Sequence, residues 1–325
     1  MMTLHALVVL VVSALASFAL TGLVRRYAVS RSILDVPNPR SSHTSPTPRG
    51  GGLAIAVVTL SGLILAVAMG RMPTNTALAL GGGGAVLAAL GWVEDARGLS
   101  APVRLFCHVG AAVWAVYWLG GPWWAIAGVV GAINAYNFMD GIDGLAASEA
   151  LVVGCIGGAL LFAAGDVRLA LIALLIAGAA GGFLPWNWQP AKIFLGDVGS
   201  GLLGFYFAAL AIASDRSGSV PLVVWLILLG VFAFDATVTL ARRVGRRERW
   251  YEAHRSHAYQ RLVQAGWSHA KVGWVVVVVN VGLGVLAWLG WREKDWLLPV
   301  SLVSAVCLMI LYLLVERIHP LVRRG

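Results

Sequence analysis

The chain has 325 residues, of which 59% are hydrophobic and only 12% are charged, and its formal net charge is +9. Its mean hydropathy is +0.82. Soluble domains carry about 25% charged residues. The composition therefore excludes an ordinary soluble protein and predicts an all-α polytopic membrane protein. The three cysteines lie in apolar runs with no short spacing, which indicates isolated thiols rather than a disulfide or metal site.

Apolar segments recur along the whole chain, which predicts one integral membrane domain over residues 1–325. Eleven of them are long enough, or nearly so, to cross a hydrocarbon core of about 30 Å as helices. The predicted transmembrane helices are 3–24, 51–69, 77–93, 104–120, 122–137, 148–164, 168–184, 200–214, 220–241, 271–290 and 297–315. The first has no basic stretch before it, so we expect an uncleaved spanning helix rather than a signal peptide.

Eleven crossings place alternate loops on opposite sides of the membrane. One side holds 19 of the 24 Lys and Arg residues, counting those at the span ends. Its loops are 25–50, 94–103, 138–147, 185–199, 242–270 and the tail from Glu316. Because Lys and Arg beside spans stay in the cytoplasm, we expect the N-terminus outside and the C-terminus inside. Most loop carboxylates and histidines share the basic side, which predicts cytoplasmic catalytic loops.

The stretch Asn134–Gly144 carries the densest polar pattern between two predicted spans. Asn137, Asp140 and Asp143 continue the three-residue spacing that begins at Asn134, so neighbours would lie close together on a helix. Charged groups beside a bilayer core are costly unless they are paired or functional. Such an oxygen-rich set suits Mg²⁺, with Mn²⁺ as the alternative ion.

Two further loops supply carboxylates. Glu94 and Asp95 directly follow a predicted span, and their mutual repulsion suits a base or a metal-linked site; the alternative is a solvated helix end. Asp197 stands between Gly196 and Gly199, which makes it a candidate metal ligand.

Basic residues accompany these carboxylates. Loop 25–50 contains His43, followed by Pro46–Gly52 with Arg49 inside it, and a flexible connector is the alternative interpretation of that loop. Prolines stiffen such a loop, and glycines let the backbone approach a ligand. Arg104, nine residues beyond Asp95, could reach a phosphate.

The longest loop, 242–270, is also the most basic. Its arginine run is explained by anchoring beside anionic headgroups, but the cluster His254-Arg255-Ser256-His257 is not. Guanidinium and imidazole donors suit phosphate oxygens. Nucleic acid is not an expected partner, because the basic residues are tied to span ends.

Few charges are expected inside the spans. Asp235 is the one carboxylate predicted there. His108 and Asn280 are further polar residues within spans, and each is expected to bond to a neighbouring helix. A transporter, the alternative from a different functional class, would place charged groups near mid-membrane. No repeat between the two halves of the chain supports it.

Carboxylates, arginines and a divalent ion together favour phosphoryl-group chemistry on a diphosphate. Six pieces, in chain order, resemble the polyprenyl-phosphate N-acetylhexosamine-1-phosphate transferases of glycosyltransferase family 4. They are Pro46–Gly52, Glu94-Asp95, Asn134–Gly144, Gly196–Ser200, Asp235 with Arg242-Arg243, and His254–His257. The resemblance covers nearly the whole chain, from His43 to His257.

The resemblance implies a reaction and two substrates. The chain would transfer N-acetylhexosamine 1-phosphate from a UDP-sugar to undecaprenyl phosphate and release UMP, with Mg²⁺ as cofactor. It would lie in the bacterial inner membrane and initiate O-antigen or another surface polysaccharide. The amino sugar, the pathway and the oligomeric state stay open; a homodimer is one arrangement.

The resemblance also implies roles for individual residues. Asn137 and Asp197 match the Mg²⁺ ligands, and Asp140 and Asp143 match loop residues near the nucleotide. Glu94 and Asp95 match an acidic pair that handles the lipid phosphate, with Asp95 the expected base and Glu94 the alternative. Arg104 matches a basic residue near the phosphates, and His254, Arg255 and His257 match a motif that contacts the sugar and diphosphate. His43, Arg49 and Asn134 are further expected substrate-binding residues.

Some positions depart from the family pattern. Glu94 replaces the usual first Asp, and its extra methylene would shift the carboxylate by about 1 Å, a distance to which catalysis is sensitive. The phospho-MurNAc-pentapeptide transferases of peptidoglycan synthesis, the alternative within the family, have three consecutive histidines where this chain has His254–His257. A CDP-alcohol phosphotransferase would need an Ala-Arg soon after Asp-Gly, which the segment 143–149 lacks.

Overall fold

The computed structural model describes residues 2–37, 45–248 and 254–320, and helices dominate all three ranges. In lipid the backbone must satisfy its hydrogen bonds within each segment, so long apolar runs form helices. They are α1 (Met2–Ser30), α2 (Gly52–Ala68), α3 (Thr74–Arg97), α4 (Ala101–Leu119), α5 (Ala125–Met139), α6 (Leu145–Ala163), α7 (Val167–Asn187), α8 (Asp197–Ser217), α9 (Leu222–Leu228), α10 (Gly230–Gly245), α11 (Ala258–Gln264), α12 (His269–Arg292) and α13 (Leu297–Ile318). The predicted all-α polytopic class is confirmed.

Each predicted segment coincides with a helix, but one of them is broken. Within the described ranges, eight helices are long and apolar enough to cross a membrane, while α2 and α5 are shorter apolar helices. The predicted span 220–241 corresponds to two helices, α9 and α10, which meet at a bend of 80°. The polar side chains of α10 have partners on other helices: Asp235 bonds to α11 and Arg242 bonds to α13. Eleven crossings stay a prediction.

Helix α8 lies at the centre of the bundle, against α2, α3 and α5, and nearly all of its side chains are buried. Two glycines let other backbones approach its first turn. A Cβ at Gly91 of α3 would lie 2.3 Å from Val198 Cα, and one at Gly52 of α2 would lie 2.2 Å from Gly199 Cα. The start of α8, where Asp197 lies, is therefore enclosed by the backbones of two neighbouring helices.

Short extended segments lie beside that helix start. Strands β1 (Leu34–Asp35) and β2 (Thr47–Pro48) pair antiparallel. The Phe194 N–H donates to the Pro48 carbonyl at 2.8 Å, and the Gly52 N–H donates to the Leu195 carbonyl at 2.8 Å. The sequence did not predict this pairing, nor the short helix α11 inside the predicted loop 242–270.

A second embedded carboxylate corrects the expectation that Asp235 is alone. Glu149 of α6 is 0% exposed, and it accepts a hydrogen bond from the side-chain amide of Asn280 on α12. The expectation that Asn280 bonds to a neighbouring helix is confirmed, whereas His108 Nδ1 is buried without a hydrogen-bond partner among the described residues. The pair joins α6 to α12 inside the bundle.

Candidate active site

A cavity of about 360 Å³ opens at the end of the bundle where α3 and α5 end and α8 begins. Carboxylates dominate its wall: Asp35, Asp95, Asp140, Asp143 and Asp197 line it. Its other polar lining residues are Arg49, Arg104, Asn137, Asn187, Ser200, Gln260 and His269. Predicted loops that are far apart in the chain therefore meet at one place.

Asn137 and Asp197, the predicted metal ligands, are in direct contact. Asn137 Nδ2 donates to Asp197 Oδ1 at 2.5 Å and to Ser200 Oγ at 3.1 Å. Asn137 lies on the last turns of α5, and Asp197 is the first residue of α8. Rotating the Asn137 amide by half a turn would exchange its nitrogen for its oxygen, so one ion could touch an oxygen of each side chain.

Asp95 is buried, with 2% of its surface exposed, and its carboxylate caps α8. Oδ1 accepts a hydrogen bond from the Asp197 N–H at 3.1 Å, and Oδ2 accepts one from the Val198 N–H at 3.3 Å. Gly196 makes this approach feasible, since a Cβ there would lie 2.4 Å from Oδ2, and its φ of 75° suits glycine. The expected base therefore already satisfies two of the free amides at a helix start.

The neighbouring Glu94 points elsewhere, as consecutive helix residues do. Its Oε1 lies 3.3 Å from Arg104 Nη1, in a partly buried ion pair. Arg104 lines the cavity, whereas Glu94 is absent from the lining. The two members of the acidic pair thus have different partners: Asp95 accepts hydrogen bonds from the start of α8, and Glu94 forms an ion pair with Arg104.

Asp140 lies where α5 ends, in the loop that leads to α6. Burial raises its pKa well above the ordinary value, and the negative charges of Asp197, Asp95 and Asp143 raise it further. Such mutual repulsion favours a bound cation, which would relieve it.

Asp143, in the same loop, is held from two directions. Its Oδ2 accepts a hydrogen bond from the Ala191 N–H at 3.0 Å. Its Oδ1 lies 3.3 Å from His269 Nδ1, and its own N–H donates to the same nitrogen at 3.3 Å. His269 is the first residue of α12, so this loop contacts a helix that begins more than a hundred residues later.

The donor set at the cavity fits a hard divalent cation. Within the three described ranges, no three His, Cys, Asp or Glu side chains converge as a cluster that could hold a metal by themselves. Mg²⁺ does not need such a cage, because it is usually bound by one or two carboxylates together with water and substrate phosphates. Asn137 with Asp197 matches that partial set.

Among the other predicted substrate-binding residues, Arg49 lines the cavity and donates from Nε to the Asp95 carbonyl at 2.8 Å. Asn134 does not line it; its Nδ2 donates to the Val130 carbonyl at 2.7 Å, one turn back in α5. His43 lies outside the described residues.

The histidine cluster adjoins the cavity without lining it. His257 is 2% exposed, and its Nδ1 lies 3.4 Å from Asp235 Oδ1. The His254 ring centroid is 4.9 Å from that of His257. Burial, then the charges of His257 and Arg243, lower the pKa of His254 to about 4, so its ring is neutral at pH 7. The Arg255 carbonyl accepts a hydrogen bond from Gln264 Nε2 at 2.9 Å.

Asp235 contacts that cluster and the start of α11. Its two carboxylate oxygens accept hydrogen bonds from the Ala258 N–H at 3.0 and 2.9 Å, and Thr239 Oγ1 donates to it at 2.9 Å. Asp235 therefore caps α11 much as Asp95 caps α8. Tyr259 of α11 donates from its hydroxyl to the Phe138 carbonyl at 2.9 Å, which ties α11 to the end of α5.

Several lining residues were not predicted from the sequence. Ser200 follows Asp197 by three positions in a helix, so spacing could have identified it. Asp35 and Gln260 belong to elements that the sequence did not predict, β1 and α11. His269 stands at the start of a predicted span and carries no local motif.

These features define a polytopic helical membrane protein with a carboxylate-rich cavity at one end of its helix bundle. A family model described as glycosyl transferase family 4 matches residues 77–215. That range includes the start of α8, where Asp197 lies, and the loop that carries Asp140 and Asp143.

Relatives extend the similarity over most of the chain. A probable undecaprenyl-phosphate N-acetylglucosaminyl 1-phosphate transferase of Bacillus subtilis is 29% identical over 297 residues, covering 85% of this chain and 81% of the relative. A decaprenyl-phosphate N-acetylglucosaminephosphotransferase of Mycobacterium tuberculosis strain H37Rv is 30% identical, with 96% and 88% covered. A phospho-N-acetylmuramoyl-pentapeptide-transferase of a Synechococcus species is 32% identical, with 87% and 90% covered. The chain belongs to glycosyl transferase family 4.

Proposed function

We propose that this chain transfers N-acetylhexosamine 1-phosphate from a UDP-linked sugar to undecaprenyl phosphate and releases UMP. One observation carries the proposal: the Asn137–Asp197 pair stands in a carboxylate-lined cavity that also contains Arg49 and Arg104. The Bacillus and Mycobacterium relatives, whose names specify N-acetylglucosamine phosphate transfer to polyprenyl phosphates, support it.

The reaction requires an anionic phosphate to approach an anionic diphosphate. A lipid phosphate oxygen forms a new bond to the β-phosphorus of the UDP-sugar. The bond from that phosphorus to the oxygen that bridges the two phosphates breaks, and this oxygen leaves as part of UMP. Mg²⁺, held by Asn137 and Asp197, would neutralise charge on the diphosphate. Arg49 and Arg104, on the cavity wall, would do the same for the remaining oxygens.

A strong base is not needed for this step. The second pKa of a phosphate monoester is near 6, so the lipid phosphate is mostly doubly ionised at neutral pH. Asp95 can then contribute to the reaction without acting as a base, because it fixes the start of α8 and therefore the position of Asp197.

The direct test is UMP release by the purified protein in detergent with undecaprenyl phosphate, Mg²⁺ and a panel of UDP-N-acetylhexosamines. We expect turnover with at least one donor. Asp197→Asn should abolish it while the protein stays folded. Asp215→Asn, at the far end of the same helix, is the matched control and should keep wild-type turnover. Absence of UMP with every donor would contradict the proposal, and full activity of Asp197→Asn would contradict the metal assignment.

A peptidoglycan-type reaction is the second candidate, because the Synechococcus relative is a phospho-N-acetylmuramoyl-pentapeptide-transferase. The donor panel should therefore include UDP-MurNAc-pentapeptide. The sequence His254–His257, without three consecutive histidines, favours the N-acetylhexosamine donor. Turnover with the pentapeptide donor alone would reverse that choice.

We further propose that the cavity faces the cytoplasm of a bacterial inner membrane, because basic residues concentrate at this end of the bundle and UDP-sugars are cytoplasmic metabolites. A cysteine introduced at Ser256, in a variant without the three native cysteines, should react only with reagents supplied to the cytoplasmic side. Labelling from outside would overturn this orientation.

A further inference from the structure

His269 is a buried histidine at the cavity to which the proposed reaction assigns no role. It is 8% exposed and lines the cavity together with Asp140 and Asp143. It begins α12, whose first turn is capped by Ser268, since Ser268 Oγ accepts a hydrogen bond from the Lys271 N–H at 3.2 Å. The helix start is therefore satisfied without the imidazole, which leaves the ring available for another task.

The contacts of His269 converge on one residue. Its Nδ1 lies 3.3 Å from both the backbone nitrogen and the carboxylate Oδ1 of Asp143. The second oxygen of Asp143 is taken by the Ala191 N–H at 3.0 Å. The next residue in the loop is fixed too, because the Gly144 N–H donates to Asn187 Oδ1 at 3.0 Å. His269 thus completes a set of contacts that leaves Asp143 little freedom to turn.

This restraint matters because Asp143 carries a carboxylate at the wall of a cavity that also contains other negative charges. A free Asp143 side chain would rotate away from Asp140 and Asp197 to lower that repulsion. Held as it is, the carboxylate presents acceptor oxygens at a fixed place, where an N–H or O–H of a bound molecule could donate. Fixing an acceptor before binding removes the entropy cost of ordering it afterwards.

We propose that His269 is a positioning residue for the donor substrate: its Nδ1 accepts the Asp143 N–H and so fixes the loop residue whose carboxylate then accepts a hydrogen bond from the UDP-sugar. The inference rests on the proposed function, since it takes the donor to be a UDP-sugar. It assigns no role to His269 in handling the lipid acceptor.

The test compares two replacements that each keep one half of the imidazole. In His269→Asn the side-chain amide can take the place of Nδ1, whereas in His269→Gln it reaches the place of Nε2. His269→Ala removes both. Ser268→Ala, which removes the helix cap one residue earlier, is the matched control for a merely structural effect on α12.

Two measurements are made on each variant: equilibrium binding of UDP-N-acetylglucosamine, and the KM values for donor and undecaprenyl phosphate from UMP release. His269→Ala should weaken donor binding and raise the donor KM by about ten- to hundredfold, the usual loss for a hydrogen bond to a charged group. The lipid KM should not change. His269→Asn should recover most of the loss, and His269→Gln should not. Ser268→Ala should lower the unfolding temperature and leave both KM values unchanged.

Three results would overturn the proposal: equal changes in the donor and lipid KM values, a Ser268→Ala effect on the donor KM as large as that of His269→Ala, or recovery by Gln but not by Asn. Failure of the proposed function is visible separately, in the wild type. If the wild type binds the donor without releasing UMP, the binding series still decides the role of His269. If it does not bind the donor at all, both proposals fall.

Discussion

Asp95 has two candidate roles, a catalytic base suggested by the sequence and a helix cap suggested by the structure. The family resemblance makes it the expected base. In the structure its two oxygens accept hydrogen bonds from the Asp197 and Val198 amides at 3.1 and 3.3 Å, and it is 2% exposed. Asp95→Asn separates the two roles, because it removes the charge and replaces one acceptor oxygen by an NH₂ group that faces an amide N–H.

The cost of that replacement follows from the contacts. A hydrogen bond to a charged group contributes about 1.5–3 kcal/mol, and loss of an N-cap costs about 0.5–2 kcal/mol. At least one amide of α8 loses its acceptor, so we expect a destabilisation of roughly 2–3 kcal/mol. Asp197 begins the same helix, so its carboxylate should shift as well. A displacement of about 1 Å at a reacting group costs on the order of 100-fold in rate.

The assay follows both quantities in one preparation. Thermal unfolding in detergent is read from the fluorescence of the 14 tryptophans, and activity is read as UMP release across pH. We expect Asp95→Asn to lower the unfolding temperature by several degrees and to keep the shape of the pH–rate profile. Glu94→Gln is the control, because Glu94 pairs with Arg104 and caps no helix. An unfolding temperature equal to that of the wild type, with loss of the acidic limb of the profile, would refute this reasoning and restore the base.

Three further outcomes are expected. Chelation with EDTA should abolish UMP release and added Mg²⁺ or Mn²⁺ should restore it; full turnover in EDTA would exclude the proposed ion. Asp235→Asn, which removes one acceptor from the Ala258 amide, should loosen α11 and reduce turnover by about tenfold, the loss of one such hydrogen bond, with proteolysis of the loop before α11 as the structural readout. The pKa of His254 is lowered to about 4 from an ordinary 6.5, so the unfolded chain binds more protons in that window and stability should fall as pH drops through it. His254→Gln should flatten the dependence of the unfolding temperature on pH between those values, and an unchanged slope would contradict the shift.

The helices could be predicted because their cause is local. A run of apolar residues in lipid has to form a helix, whatever its neighbours are, and each predicted segment contains one. The bend between α9 and α10 is different, because the polar residues Asp235 and Arg242 of α10 have partners far along the chain, on α11 and α13. No count of apolar residues in 220–241 reveals those partners, so the bend could not be predicted from that segment.

The site divides in the same way. Asn137, Asp140 and Asp143 could be singled out because carboxylates and amides between two spans are costly without a function. The contact of Asn137 with Asp197 could be expected only from the family resemblance. His269 and Gln260 carry no such signal, since a single histidine or glutamine at a helix start is ordinary. Only the packing of α11 and α12 against the loop after α5 brings them to the cavity.

Two buried aspartates explain how a bundle held mainly by apolar contacts positions a polar site. Lipid-facing side chains specify little about the rotation or height of a helix, because one apolar contact replaces another at small cost. A helix start with free amides is different, since each unsatisfied N–H in a buried place costs about 1–3 kcal/mol. Asp95 takes two such amides of α8 and Asp235 takes those of α11. Each carboxylate thereby fixes the height of a helix that begins at the cavity, and α8 carries Asp197 while α11 carries Gln260. Asp95, to which the family resemblance assigns a chemical role, can therefore act first by positioning a helix.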